Sequence, residues 1–167
     1  MENIITGRAF VYGNNIDTDQ IYPGRYLELV NPDDIKKHCL EGADENFAKE
    51  VKPGDIVVAG TNFGCGSSRE HAAITLNSCG VGVVLADSFA RIFFRNATNL
   101  ALPLVTCKGI SSKVKTGDIL EVHLKEGRII NKTSGEELQG ERISDYIFNI
   151  LEKGGIKKLF IETNNVV

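Results

Sequence analysis

The segment between residues 60 and 73 concentrates the side chains that could do chemistry. Its central run reads Gly64-Cys65-Gly66-Ser67-Ser68-Arg69-Glu70-His71. Glycine lets the backbone turn tightly and approach a ligand closely. Two hydroxyl groups and a guanidinium directly follow the glycines, and such groups bind carboxylate or phosphate oxygens. The run therefore predicts an anion-binding loop.

The flanking residues predict the elements that position this loop. The short β-branched run 56–59 precedes it and is typical of a buried strand. A helical pattern opens at Ser67, continues through Leu76 and stops at Cys79-Gly80, with Gly80 as a left-handed cap. In this order of elements, free backbone N–H groups and the positive end of the helix dipole meet at one point.

The same residues also have a purely structural explanation. Ser67 and Glu70 have the spacing of a capping box, with Ser67 as the N-cap. The run is not a Walker A loop, because no lysine follows the glycines, and it lacks the third glycine of a dinucleotide-binding fingerprint. Spacing alone leaves both the capping box and the anion site open.

The sequence also leaves open whether any cysteine is functional. Cys65 lies beside the predicted helix N-terminus, which lowers the pKa of a thiol, and His71 is a conceivable partner for a nucleophilic pair. Nothing in the sequence supplies the third group that would orient such a pair. The four cysteines, Cys39, Cys65, Cys79 and Cys107, form no C-x-x-C motif. This argues against a disulfide framework and against a metal site built by this chain alone.

Composition limits the class of protein. The 167 residues, 42% of them hydrophobic and 25% charged, suffice for one domain with a buried core. A net charge of -3 offers no basic surface for nucleic acid. No apolar run approaches the roughly 20 residues of a membrane span. The N-terminus lacks the features of a signal peptide. We therefore expect a cytoplasmic protein that contacts no membrane.

Patterns elsewhere predict an alternating α/β arrangement. Strands are expected at residues 4–12, 81–86 and 102–105, and in a hairpin of 119–124 with 128–131. Helices are expected from Asn31 to Leu40, after a Ser88 cap, and last from Ser144 to Glu152. On the helix after Ser88, Arg91 and Arg95 lie four residues apart, which is typical of a solvated or acid-paired face.

Three segments, in order, resemble the swivelling domain of the aconitase superfamily. They read DTDQIYPGRYL from Asp17 to Leu27, GCGSSREHA from Gly64 to Ala72, and DSFARIFFRNA from Asp87 to Ala97. In pattern they are most similar to the small subunits of 3-isopropylmalate dehydratases and of homoaconitase-like enzymes. The resemblance implies a compact, barrel-like α/β fold, the β/β/α swivelling domain, with residues 1–167 as a single domain.

The resemblance also implies a function. It is that of the small subunit of a hydro-lyase, which interconverts 2-isopropylmalate and 3-isopropylmalate by dehydration and rehydration in leucine biosynthesis. The alternatives are related hydro-lyases acting on dimethylmalate, on citraconate or methylmalate, or on homoaconitate. The alternative without catalysis is an anion-binding module on the same scaffold. Intact Ser67 and Arg69 favour the enzyme, since a binding module needs no base.

Site roles carry over residue by residue. Ser67 matches the serine whose alkoxide is the catalytic base, and Ser68 and Arg69 match residues that bind the substrate carboxylate. Asp19 matches the aspartate of the family's T-D-x-I motif and is expected at the edge of the site, with Arg25. The family's [4Fe-4S] cluster is expected on a large partner subunit, in a heterodimer or heterotetramer, and none on this chain.

Substrate choice is expected to depend on the loop that starts at Tyr26-Leu27. In homoaconitate-type relatives an arginine follows this pair, and in isopropylmalate-type relatives apolar residues do. This chain departs from both, with Glu28-Leu29. Since a glutamate cannot pair with a distal carboxylate, Leu29 and Val30 are expected to face a branched alkyl group, with isopropylmalate as the first candidate and a methyl-substituted malate as the second.

Overall fold

The computed structural model describes residues 3–164 and is organised around one mixed sheet of seven strands. The strands are β1 Ile4–Val11, β2 Ile56–Ala59, β3 Val83–Ala86, β4 Leu104–Thr106, β5 Ile119–His123, β6 Arg128–Asn131 and β7 Glu137–Gln139. Their order across the sheet is β4-β3-β2-β1-β5-β6-β7. The half from β4 to β1 is parallel, and the half from β1 to β7 is antiparallel.

Alternation along the strands separates two apolar cores. In β2, Ile56 and Val58 belong to one core, and Val57 and Ala59 belong to the other. The core around Val57 includes residues of the central helices, whereas the core around Ile56 includes side chains from both halves of the sheet. The backbone N–H of Glu141, just after β7, donates to the Thr106 carbonyl of β4 at 2.8 Å. The two edges of the sheet thus approach each other, which confirms the predicted barrel-like α/β fold.

Seven α-helices connect and cover the strands within the described residues. They are α1 Thr18–Ile21, α2 Pro32–Ile35, α3 Phe47–Glu50, α4 His71–Ser78, α5 Arg91–Asn99, α6 Asp145–Glu152 and α7 Ile156–Asn164. Short 3-10 turns occur at Gly24–Tyr26, Lys36–His38 and Ile110–Ser112. The first three helices have four residues each, so their positions depend on packing and caps rather than on helix propensity.

Several sequence predictions need correction. The helix predicted from Asn31 to Leu40 ends as an α-helix at Ile35 and continues only as a 3-10 turn. Strand β7 and helix α7 were not predicted. Ser88 does not cap α5, because its Oγ instead accepts a hydrogen bond from the Asn62 N–H at 2.8 Å, and the cap position belongs to Ala90. None of the helices of residues 3–164 has the length and apolar character needed to cross a membrane.

Candidate active site

The three segments that resemble the aconitase superfamily meet at the glycine loop. Two backbone hydrogen bonds tie the loop to the start of the first segment. Gly64 donates to the carbonyl of Ile16, the residue just before that segment, and Thr18 donates to the Cys65 carbonyl, both at 2.8 Å. The third segment is joined through the Ala90 N–H, which donates to the Phe63 carbonyl at 2.9 Å. These contacts join the segments that follow β1, β2 and β3. The segments lie at one end of the sheet, where parallel α/β sheets commonly bind ligands.

Glycines 64 and 66 are required by the loop's backbone. Both have positive φ angles, +86° and +103°, a region that L-residues with side chains rarely adopt. A Cβ atom on Gly64 would lie 2.3 Å from Cγ of Phe93. The absence of a side chain at Gly64 therefore lets the loop lie directly against α5.

Thr18 contacts the predicted base. Its Oγ1 lies 3.0 Å from Oγ of Ser67 and accepts a hydrogen bond from the Ser67 N–H at 3.1 Å. A hydroxyl group has one proton to donate. Because Thr18 Oγ1 already accepts from the backbone, its own proton is free to be donated to Ser67 Oγ. Thr18 is thereby placed to stabilise negative charge on the serine oxygen.

The position of Thr18 is fixed by the start of α1. The Asp17 side chain accepts from the Gln20 N–H at 2.8 Å, and the Gln20 side chain accepts from the Asp17 N–H at 3.0 Å. This is a capping box, and Thr18 is the first residue after the cap. Thr18 itself is buried. Asp17 is therefore the N-cap of α1, and the sequence prediction assigned no role to Thr18, the residue that follows it.

The capping box that the spacing of Ser67 and Glu70 left open is not formed in the structure. Helix α4 begins at His71, and its N-cap residue, Glu70, makes no side-chain cap. Ser67 lies outside the helix, is solvent-exposed and makes its hydrogen bonds to Thr18. The predicted end of the helix is confirmed, since Cys79 is the C-cap and Gly80 has a φ of +79°.

Ser67 opens into a cavity of about 700 Å³ between the glycine loop and the start of α5. The lining is partly charged and partly apolar: Arg91 and Arg95 on one side of α5, with Ile92 and Phe94 beside them. The sequence prediction assigned no role to the two arginines beyond a solvated or acid-paired face. The signal that they share a helix face was present, but the sequence alone does not show that this face meets Ser67.

Arg69 points to the other side of the loop. Its Nη1 lies 3.5 Å from Oδ1 of Asp19, which also accepts from the Gly24 N–H at 2.8 Å. Arg69 Nη1 is itself buried and has no hydrogen-bond acceptor within residues 3–164. The structure thus brings Asp19 and Arg69 together. The Arg69 guanidinium retains unused hydrogen-bonding capacity.

The predicted specificity loop lies apart from this cavity. The Tyr26 ring stacks on His38 with centroids 3.5 Å apart, and Arg25 pairs with Glu41 at 3.1 Å. Leu27 and Glu28 are exposed and Leu29 is half-buried. None of these residues lines the cavity beside Ser67. In the described residues, then, the loop is a surface segment anchored through its aromatic ring.

The described residues offer no metal centre. No group of three or more His, Cys, Asp or Glu side chains among residues 3–164 could hold a metal ion. Cys65 lies in the loop and is half-buried, while Cys39 is fully buried and packs with Cys79, the C-cap residue of α4. Burial raises the pKa of the Cys39 thiol, and the hydrogen bond from Cys39 lowers the pKa of Cys79. A [4Fe-4S] cluster therefore does not fit the side chains of residues 3–164.

The fold and site define a class of protein: a curled α/β sheet in which a glycine loop presents a serine hydroxyl, and a helix presents two arginines, to one cavity. Residues 9–109 match the model of the aconitase C-terminal domain. The chain belongs to this family. This match includes the glycine loop, Thr18 and both arginines of α5.

Several known proteins are similar over nearly the whole chain. An isopropylmalate/citramalate isomerase small subunit from Methanocaldococcus jannaschii is 54% identical, covering 93% of each chain. A 3-isopropylmalate dehydratase small subunit from Methanopyrus kandleri is 52% identical, covering 95% of this chain and 94% of that one. A methanogen homoaconitase small subunit from Methanothermobacter thermautotrophicus is 46% identical, covering 98% and 94%.

A solved structure agrees with these sequence relatives. The crystal structure of a 3-isopropylmalate dehydratase from Methanocaldococcus jannaschii superimposes with a TM-score of 0.93 at 42% identity. The match covers 97% of this chain and 96% of that chain. It supports the same arrangement of sheet and helices.

Proposed function

We propose that this chain is the small subunit of a hydro-lyase of the 3-isopropylmalate dehydratase type. The observation that carries the proposal is the Ser67–Thr18 hydroxyl pair, 3.0 Å apart at the mouth of the cavity. A serine hydroxyl held by a second hydroxyl, beside fixed positive charge, is suited to removing a proton next to a carboxylate. Family membership and the relatives' names support the same reaction class.

The groups around Ser67 must offset the free-energy cost of ionising its hydroxyl. An alcohol titrates above the tyrosine value of about 10, so an alkoxide near pH 7 costs more than about 4 kcal/mol. Thr18 supplies one hydrogen bond to the oxygen, and hydrogen bonds to charged groups contribute about 1.5–3 kcal/mol each. The remaining stabilisation comes from the nearby guanidinium groups, whose charge also favours the anion.

Ser68 and Arg69 are the proposed carboxylate ligands next to the base. Arg69 Nη1 has no hydrogen-bond acceptor within residues 3–164, although it lies 3.5 Å from Asp19. A substrate carboxylate could take the position at which Asp19 now approaches, because bidentate arginine–carboxylate pairs are stronger than a single contact at that distance. Asp19 then orients Arg69 from the edge of the site.

The cluster and most acid groups are assigned to a large subunit. Names of similar proteins as small subunits support a partner, and the described residues of this chain do not fit a [4Fe-4S] cluster. No step of the proposed mechanism on this chain involves it. We propose a heterodimer or heterotetramer in which this chain supplies Ser67, Ser68 and Arg69.

Isopropylmalate is the proposed substrate, with citramalate-like and dimethyl-substituted malates next. Glu28 replaces the arginine expected for a tricarboxylate, and its exposed carboxylate would repel a distal carboxylate rather than bind it. Homoaconitate remains the competing substrate, since one similar relative carries that name. One methylene in a pocket changes discrimination by only about 1–3 kcal/mol, so activity on several branched malates is expected.

Reconstitution tests the function directly. The chain is mixed with a cluster-bearing large subunit, and the dehydration of isopropylmalate and dimethylmalate and the hydration of citraconate and homoaconitate are followed. We expect turnover only in the mixture, and a loss of on the order of a hundredfold or more with Ser67→Ala. Ser112→Ala, an exposed serine that donates to the Gly109 carbonyl, is the matched control. Turnover by the pure chain, or full activity of Ser67→Ala, would contradict the proposal.

A non-catalytic anion-binding module is the second candidate, and the cavity arginines favour it equally with the enzyme. The Ser67–Thr18 pair separates the two. A binding module would hold a dicarboxylate as tightly with Ser67→Ala as without it, and no substrate would turn over.

A further inference from the structure

The arginines of this chain fall into two groups: those that pair with a carboxylate and those that do not. Of the seven in the sequence, four form ion pairs: Arg8 with Asp55, Arg25 with Glu41, Arg69 with Asp19, and Arg128 with Glu137. The other three, Arg91, Arg95 and Arg142, have no carboxylate partner within residues 3–164. Two of these three line the cavity that contains Ser67.

Helix α5 places the two cavity arginines together. Arg91 and Arg95 are one turn apart, so their side chains leave the helix on the same face, with Cβ atoms about 5–6 Å apart. Like charges at this spacing destabilise a helix unless an opposite charge lies between them. No side chain of the described residues supplies that charge, which makes an anion in the cavity the natural counterpart.

Direct contacts also fix α5, which carries the two arginines, against the loop that carries Ser67. The Asn96 amide of α5 donates to the Ser68 carbonyl at 3.2 Å, and Gly64 packs directly on Phe93 of the same helix. Helix α5 and the loop are therefore joined by direct contacts. A ligand that contacts the two guanidinium groups is thereby placed at a fixed distance from Ser67.

The remaining lining indicates the class of ligand. Ile92 and Phe94 present apolar surface in the same cavity, and Ile92 is 43% exposed although it lies beside charged groups. A small anion such as phosphate would leave this surface in water. A dicarboxylate with an alkyl branch would cover it and use both charges.

We propose that Arg91 and Arg95 bind the carboxylate groups of a branched dicarboxylate in the cavity beside Ser67. This rests on the proposed hydro-lyase function and adds two substrate-binding residues to it, on the side of the loop opposite Arg69. The helix pitch of about 5.4 Å lets each arginine take one carboxylate, or both converge on a single one. Arg69 holds the substrate from the far side of Ser67.

The test uses the reconstituted complex with Arg91→Gln, Arg95→Gln and the double variant. Arg142→Gln is the matched control, because Arg142 is exposed, lacks an ion pair within residues 3–164 and lies outside this cavity. Four quantities are measured: KM and kcat for isopropylmalate, the calorimetric Kd of succinate as an unreactive dicarboxylate, and the Kd between the subunits.

Each single variant is expected to weaken succinate binding and raise KM by about 10-fold or more, which is typical of losing a charge-assisted hydrogen bond. Arg91→Lys and Arg95→Lys keep the charge without the forked geometry and should fall between wild type and glutamine. The Kd between subunits should stay within about twofold of the Arg142→Gln value, since the arginines are expected to contact substrate rather than the partner.

Two results would overturn the inference. One is a KM and a succinate Kd that match those of Arg142→Gln. The other is a weakened subunit Kd with an unchanged KM, which would assign both arginines to acidic groups of the large subunit. If the unmodified complex turns over none of the acids, the hydro-lyase function fails, while succinate calorimetry still reports whether the arginines bind a dicarboxylate.

Discussion

Replacing Thr18 by valine removes the group that is proposed to stabilise the serine base. Valine has almost the same shape as threonine but lacks the hydroxyl. The change therefore deletes the 3.0 Å contact with Ser67 Oγ and the 3.1 Å hydrogen bond from the Ser67 N–H. Asp17 and Gln20 still cap α1, so the backbone at position 18 should be retained.

The size of the effect follows from the charge on the serine oxygen. A hydrogen bond to a charged group contributes about 1.5–3 kcal/mol, and each 1.36 kcal/mol is a factor of ten in rate. We expect kcat to fall by about 10- to 150-fold with little change in KM, because Thr18 contacts the base and not the substrate. A hydrogen bond from the Thr18 hydroxyl favours the alkoxide form of Ser67 over the alcohol. Its loss should move the ascending limb of the pH–rate profile upward by about 1–2 units.

Stability needs a separate control. Thr18 is buried, and losing its bond from the backbone should cost about 0.5–1.5 kcal/mol of the free energy of unfolding. Thr75→Val is the matched variant, since Thr75 is buried and its hydroxyl donates to the Ile35 carbonyl at 2.9 Å, away from the loop. It should show a similar stability loss with normal kcat and an unshifted pH profile.

The assay is steady-state dehydration of isopropylmalate by the reconstituted complex from pH 6 to pH 10, with unfolding followed by circular dichroism. A Thr18→Val enzyme whose kcat and pH profile match those of Thr75→Val would refute the role of Thr18. It would also remove the geometric argument for Ser67 as the base, because no other hydroxyl of the described residues lies within hydrogen-bond distance of its oxygen.

Three further outcomes are expected. Gly64→Ala should lower the free energy of unfolding by about 2–4 kcal/mol, seen as a lower Tm, because the residue has positive φ and its Cβ would meet Phe93. Iodoacetamide at neutral pH should alkylate Cys79 before Cys39 in peptide mass mapping, since the pKa of Cys79 is lowered and that of Cys39 is raised; equal rates would contradict this. Glu28→Arg should raise kcat/KM for homoaconitate relative to isopropylmalate, and an unchanged ratio would remove Glu28 from specificity.

Local sequence patterns predicted most of the strands and helices of the fold. Strand β2 and the hairpin of β5 and β6 follow from short runs of apolar residues and a turn, so they were predicted with nearly the observed bounds. Helix α7 was missed because Gly154 and Gly155 are typical of a chain that leaves helical structure. Strand β7 has only three residues and depends on pairing with β6, a contact that no local pattern contains.

The site was predictable only in part. Ser67 and Arg69 stand out by residue type within one loop, and family resemblance gave their roles, which stay predictions. Thr18 is 49 residues from Ser67 in sequence, so its contact depends on the fold. Ser67 satisfied the sequence rule for a helix cap and is nonetheless outside the helix, because the Thr18 hydroxyl binds it instead of a helix N–H.

The backbone hydrogen bonds that fix the glycine loop indicate what each of the two subunits would contribute to the reaction. Ile16 and Thr18 hold the loop from the segment after β1, Ala90 holds it from the segment after β3, and all these bonds form within the small subunit. Ser67 is therefore oriented before any partner binds, and a preorganised base avoids the cost of ordering it during the reaction. What the chain lacks is charge balance, since Arg91 and Arg95 face the cavity without an acid from the described residues. A partner that only closed the cavity would strengthen this imbalance by excluding water, so closure should be coupled to binding of the dicarboxylate that neutralises it.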